Sequence, residues 1–240
     1  MKKAWINWSS GKDSALALYY TLQEKEYKVE RLFTTLGDNA ERVSMHEVSR
    51  KLLLAQARNL GLDINLCEIP TNLSADDYNL KMQDEILNLK KEGLGYSIFG
   101  DIFLEDLKKF REQQLEAMDI KAVFPLWKHN TRALMQDFLD LGFKAIVVCV
   151  NTKVLDKSFC GRLLDQQFLF DLPEHIDPCG ENGEFHTFVF DGPIFHSPIN
   201  FEIGEKVKKS YKSTPNGDDS SLEDAKSWDS EFIYCDLKPK

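Results

Sequence analysis

The chain has no apolar run long enough to cross a bilayer. Its opening residues, MKKAWINW, also lack the apolar stretch of about 7 to 15 residues and the small-residue cleavage site of a secretory signal. No membrane partner is therefore expected, and Met1 reads as the start of a cytoplasmic chain. Positive charge is scarce: 30 lysines and arginines face 39 aspartates and glutamates, a formal balance of −9. That excess repels a polyphosphate backbone, so no nucleic-acid partner is expected. Cys67, Cys149, Cys160, Cys179 and Cys235 include no C-x-x-C pair and no cysteine–histidine spacing suited to zinc. They read as reduced, mostly buried thiols. Two nucleotide fingerprints are missing as well. A Walker A loop would need glycine at Ile6 and serine or threonine at Asp13, and no G-x-G-x-x-G occurs to hold a dinucleotide.

What is present suits a soluble α/β protein. At 42% hydrophobic and 29% charged, the 240 residues have the balance of an ordinary globular chain. Their number allows a main domain with a smaller companion. Short apolar runs at Ala4–Trp8, Val29–Leu36, Ile64–Ile69 and Tyr96–Phe99 alternate with helical periods. The helices are expected over Asp13–Glu24, through Met45, Val48, Leu52 and Ala55 to a stop at Gly61, through Tyr78, Met82, Ile86 and Leu89, and over Glu105–Met118. This is the order of β-α-β units on a parallel sheet. The texture changes near Lys121, which divides an N-terminal domain, residues 1–120, from a C-terminal lobe, residues 121–240. The lobe is expected to hold a helix over Thr131–Leu141, strands Ala145–Val150 and His186–Phe190, and a hairpin pairing Phe201–Tyr211 with Glu231–Leu237. The polar stretch Lys212–Trp228 reads as a mobile loop.

Ser9-Ser10-Gly11-Lys12-Asp13-Ser14 follows the first strand and opens the first helix. At that position backbone N–H groups and a helix N-terminus form an anion cradle. Ser9 and Ser14 can add hydroxyl donors, and Gly11 permits close approach. Lys12 can neutralise charge as pyrophosphate departs. Asp13 would repel phosphate, so its roles are to hold Mg²⁺ or to order the loop. The loop resembles that of the PP-loop ATP pyrophosphatases, S-G-G-x-D-S, and departs from it at Ser10. If that position needs a positive φ, serine there costs about 1 kcal/mol.

A second constellation runs from Asp177 to Thr187, DPCGENGEFHT, with Glu181, Glu184 and His186 set around Gly180 and Gly183. Glu181 and Glu184 can bind Mg²⁺, orient an amine or act as general bases, and His186 can be a base or a donor. Together with W-S-S-G-K-D-S-A, Phe99-Gly100-Asp101-Ile102, Phe124-Pro125-Leu126-Trp127, Gly161-Arg162 and Asp191-Gly192-Pro193, this segment resembles the diphthine-ammonia ligase family and its bacterial relatives. The resemblance implies an α/β, Rossmann-like parallel sheet of the adenine nucleotide alpha hydrolase type with a smaller C-terminal α+β lobe. It implies ATP and Mg²⁺, ammonia, and a carboxylate acceptor, either protein-borne diphthine or a small molecule, activated as an acyl-adenylate. Ser9 to Ser14 would hold the triphosphate, with Asp101 and Glu105 facing the same crevice, and Glu181, Gly183 and Glu184 would meet the acceptor. Arg162 and His46 are weaker candidates, and a homodimer is allowed. The diphthine ligases tend to read G-E-G-G-E-[FY]-E-[TS], so Asn182 and His186 are departures that leave the acceptor open. A tRNA sulfur transferase is disfavoured by the lack of paired nucleophilic cysteines and of a basic surface. The rival from another class is a module that binds ATP without turnover.

Overall fold

The computed structural model describes residues 1–37, 43, 48–70, 73–211 and 230–240. Met45, His46 and the Lys212–Trp228 segment lie outside them.

Five strands, β1 (Lys2–Asn7), β2 (Tyr27–Leu36), β3 (Asp63–Glu68), β4 (Tyr96–Ile98) and β5 (Lys121–Val123), form an all-parallel sheet in the order β3-β2-β1-β4-β5. β5 joins this sheet, which thus takes in residues on both sides of position 120. Alternation along the central strand sorts its side chains between two faces. Ala4 and Ile6 join one buried cluster with Trp8, while Trp5 joins Phe33, Leu89, Phe99 and Leu115 on the other. The first face is covered by α1 (Lys12–Glu24) and α2 (Arg50–Leu60), and the second by α3 (Ala75–Lys91) and α4 (Glu105–Glu116).

A second sheet is antiparallel, in the order β7-β6-β9-β8, from β6 (Lys144–Asn151), β7 (Phe185–Asp191), β8 (Phe201–Tyr211) and β9 (Ser230–Pro239). The expected hairpin is β8 with β9. α5 (Thr131–Asp140) and α6 (Gln166–Asp171) complete the lobe. Its Phe138, Val147, Phe168 and Phe188 share one buried cluster with Ile6, Leu16 and Leu52. The two sheets are thus joined by a continuous core across α1, and the α/β reading with a smaller C-terminal α+β lobe is the observed fold.

One boundary differs from the sequence pattern. The period through Met45 and Val48 suggested an early start for α2, yet the helix begins at Arg50. Ser49 is its N-cap, in extended conformation, and accepts a hydrogen bond from the Leu52 amide. A serine at that position satisfies a helix-terminal donor that an apolar residue leaves open. Gly61 ends the helix in the left-handed region as expected, at φ 66°.

Gln56 of α2 is fully buried and binds three partners, two in the loop after β1 and one in β7. Its Oε1 accepts from Trp8 Nε1 at 2.8 Å, and its Nε2 donates to the Ser10 carbonyl at 3.0 Å and to the Val189 carbonyl at 2.6 Å. Gln56→Leu keeps the volume and orphans all three groups. It should cost about 3 kcal/mol and lower the unfolding midpoint by roughly 10 °C. Calorimetric unfolding checks this, and a midpoint within about 2 °C of wild type would show that the bridge carries no stability.

Candidate active site

The strand order reverses between β1 and β4, and the C-terminal ends of these strands open a crevice, the usual ligand position in an open α/β sheet. A cavity of about 680 Å³ occupies it. Ser9, Lys12, Asp13, Ser14, Asp101, Glu181, Gly183 and His186 all line it, bringing most of the sequence-derived candidates to one place.

The loop after β1 is held from three sides. Ser10 adopts φ 71°, the left-handed conformation that its departure from glycine placed in question. The strain costs about 1 kcal/mol. Its side chain is fully buried with the hydroxyl unpartnered among the described residues, while its carbonyl accepts from Gln56 and from the Val189 amide at 3.0 Å. Two residues on, the Lys12 amide donates to Thr187 Oγ1 at 3.1 Å. Thr187 and Val189 share one face of β7, so a single strand of the second lobe pins the loop twice. Gly11 caps α1 without any side-chain hydrogen bond, leaving the helix start open to the crevice. The Ser9 and Ser14 hydroxyls lie 3.2 Å apart, and Ser14 also bonds the Gly11 carbonyl. Gly100 lets β4 pass the loop closely, for a Cβ there would lie 2.9 Å from the Asp13 carbonyl carbon.

Lys12 is buried, and its ammonium contacts both Asp13 oxygens at 2.9 and 2.7 Å. Burial alone would lower its pKa, but Asp13, with Cys179 and Glu181, outweighs that and the net shift is upward. Lys12 is therefore a fixed cation. Asp101 is pushed up, first by burial and then by Asp13, against the pull of Arg111. Glu181 accepts from the Ile102 amide at 3.3 Å. Burial and the neighbouring Asp13 carry its pKa up to about 7 despite Lys12. A carboxyl poised near neutrality inside a cleft is suited to proton transfer.

The DPCGENGEFHT segment divides into a frame and a working edge. Asp177 Oδ2 accepts from the amides of Cys179 and Glu181, both at 3.1 Å. Glu184 is buried and accepts from the amides of Asp177 and Asn182 at 3.1 and 2.9 Å, and from Asn182 Nδ2 at 3.0 Å. It does not line the cavity. The glutamate pair expected to act together is thus split: Glu184 holds the loop and Glu181 faces the crevice. Asn182 is exposed and spends its side-chain amide on Glu184, whereas His186 faces the cavity. Glu105 is exposed and ion-paired with Lys128 at 3.1 Å. Arg162 pairs with Asp171 at 2.7 Å and lies over Phe159. Neither lines the cavity, because Glu105 points from the first turn of α4 to solvent and Arg162 is drawn to α6. His46 is outside the described residues. All five cysteines are buried and unpaired in disulfides. No group of three or more metal-ligating side chains occurs among the described residues, and no helix among them is long and apolar enough to cross a membrane.

Sequence reasoning missed Gln56, Thr187 as a partner of the loop, and Arg111, which pairs with Asp101 at 3.3 Å. Thr187 lay within a quoted motif. Gln56 and Arg111 sit in ordinary helical periods that carry no signal of their own.

Comparison with known proteins matches residues 1–122 to the diphthamide synthase N-terminal domain and residues 130–238 to the diphthamide synthase C-terminal domain. A protein of Bos taurus named diphthine--ammonia ligase is 26% identical over 186 residues, 75% of this chain and 68% of that protein. The Homo sapiens protein of the same name is 25% identical over 183 residues, 73% of this chain and 67% of the relative. In Schizosaccharomyces pombe the match is 28% over 103 residues, 41% of this chain but 17% of a longer relative.

Because the folded carboxyl of Glu181 titrates above the ordinary value near 4.5, ionisation opposes folding. Stability is lost progressively as pH rises from about 4.5 to about 7 and by a constant amount above. Glu181→Gln removes this titration. Without nucleotide, the variant should unfold at increasingly higher temperature than wild type between pH 5 and pH 8, about the span of the shift. A gap independent of pH in thermal melts would refute the buried, titrating assignment.

Proposed function

The chain belongs to the diphthamide synthase family, and from that premise we propose that it is a cytoplasmic ATP-dependent ligase forming an amide from a carboxylate and ammonia. The observation that carries the reading is the meeting of a PP-type loop, a buried lysine and a carboxyl titrating near 7 in one crevice. The acceptor carboxylate oxygen attacks the α-phosphorus of ATP, the bond to the β-phosphate oxygen breaks, and pyrophosphate leaves. Ammonia then attacks the acyl carbon, the bond from that carbon to the AMP oxygen breaks, and the carboxyl becomes an amide.

Each residue has a task in this scheme. The open start of α1 and the Ser9 and Ser14 hydroxyls hold phosphate oxygens, and Lys12 offsets the charge on departing pyrophosphate. Glu181 takes a proton as the nitrogen attacks. Glu184 keeps the Glu181 loop in shape and touches no reactant. Mg²⁺ fits the donors present, since Asp101 Oδ2 is buried without a hydrogen-bond partner among the described residues and Asp13 is its charged neighbour. Mg²⁺ commonly takes one or two carboxylates, with phosphates and water completing its shell. Asp13 and Asp101 would hold it, and it would supply charge neutralisation on the triphosphate.

Diphthine, the substrate in the relatives' names, is the first acceptor to test. Of the two departures from the diphthine ligase pattern, only His186 faces the cavity. That favours, as a second reading, the same chemistry on a different carboxylate.

With ATP, Mg²⁺, ammonium and a diphthine peptide, the expected products are AMP and pyrophosphate. ADP and orthophosphate as sole nucleotide products, separated by ion-exchange chromatography, would overturn the assignment. Lys12→Ala should slow the chemical step by roughly a hundredfold or more, since one charge-stabilising donor is typically worth about 3 kcal/mol. A wild-type rate from this variant, with its melting temperature unchanged, would remove Lys12 from the mechanism.

A further inference from the structure

The cavity extends beyond the phosphate loop into an arm between α3 and α4. Tyr78, Met82 and Ile86 line it from α3, and Phe110 and Arg111 from α4, with Phe99 beneath. Its walls are mainly aromatic, aliphatic and thioether, with the amides of Asn79, Gln83 and Gln114 among them, suited to an organic body rather than to a triphosphate. Arg111 is the charged side chain that α3 and α4 bring to this lining. Its guanidinium stacks over the Phe99 ring at 4.4 Å, and its ionic contact among the described residues is the 3.3 Å approach of Nη2 to Asp101 Oδ1. The Nε atom is buried with no hydrogen-bond partner among the described residues. A guanidinium presents five N–H donors in a planar fork, and buried donors are almost always satisfied. Here the fork lines this arm of the reaction crevice with its Nε–H unused among the described residues.

We infer that the α3–α4 arm is a carboxylate-binding subsite in which Arg111 receives the anionic group of an acceptor whose apolar body lies between Tyr78, Met82 and Phe110. Identifying the occupant as the acceptor rests on the ligase reading, whereas the anion preference rests on Arg111 alone. The planar fork matches a carboxylate in bidentate fashion, and the Phe99 ring fixes its plane. A nucleotide phosphate shares the anionic chemistry, but the loop at α1 already supplies donors for phosphate. Asp101 partly offsets the cation, so the arm selects for good hydrogen-bond geometry rather than for charge alone. Once its Oδ1 is engaged by Arg111, Oδ2 remains to face the triphosphate side. Asp101 thus stands between the two halves of the crevice.

The test uses the full chain with nitrogen-15 arginine, reading the Nε–H resonance of Arg111, identified by its loss in Arg111→Lys. The probe is phenylbutyrate, a carboxylate on an apolar body, with phenylbutanol as its uncharged match. A saturable shift with the acid and none with the alcohol is expected. The Kd for the acid should rise about tenfold or more in Arg111→Met and several-fold in Arg111→Lys, which keeps the charge and loses the fork. The α,β-methylene analogue of Mg-ATP should leave the resonance in place, with its own Kd within about twofold of wild type in both variants. No saturable shift, or an equal shift from the alcohol, overturns the subsite. A shift from the nucleotide analogue alone assigns Arg111 to phosphate and overturns the carboxylate assignment. The ligase reading is judged separately: a wild-type chain that binds phenylbutyrate at Arg111 but yields no AMP with any carboxylate acceptor keeps the subsite and loses the amidation.

Discussion

The Ser10 carbonyl accepts two hydrogen bonds, from the Gln56 side chain and from the Val189 amide, and the placement of the site depends on that junction. It ties the phosphate loop to α2 and to β7 at once. Holding Ser10 in the left-handed region is unfavourable for a serine, so the conformation persists because its surroundings over-determine it. The next turn is oriented as a consequence, with the Lys12 amide bound to Thr187 and the Lys12 ammonium directed to Asp13. Two residues of one strand of the C-terminal lobe thus shape the loop after β1 of the other sheet.

Electrostatics in the crevice follow from burial. Lys12 and Arg111 face Asp13, Asp101 and Glu181 there, and burial together with the charge of Asp13 pushes the Asp101 and Glu181 carboxyls up. Such a cluster responds strongly to whatever charge enters it. A triphosphate, a divalent cation or an acceptor carboxylate each changes the protonation that its neighbours favour.

The acidic loop shows how similar side chains take different tasks. Asp177 and Glu184 accept amide hydrogen bonds within the loop, and Gly180 allows a tight return, since a Cβ there would meet the Phe185 carbonyl at 2.9 Å. Their common effect is to present Glu181 at the crevice. Glu181 and Glu184 are three residues apart, yet one faces the cavity and the other supports the loop.

Much of the fold was legible from the residues. Apolar runs of strand length alternating with helical periods specify a parallel sheet because such strands are buried on both faces, and the position of the loop between β1 and α1 was legible from the same local pattern. Gly61 as a helix stop and the β8–β9 hairpin follow from equally local rules. Position 10 could be flagged as strained because only glycine adopts positive φ without cost. What tertiary structure alone decided is which polar groups meet. Glu184 turns inward and Arg162 turns to Asp171 because nearby donors and acceptors capture them, and Arg111 reaches Asp101 because α4 packs back over the loop that follows β4. Periodicity fixes which face of a helix is buried, but not which partner waits there, and partners distant along the chain are set only when the layers pack.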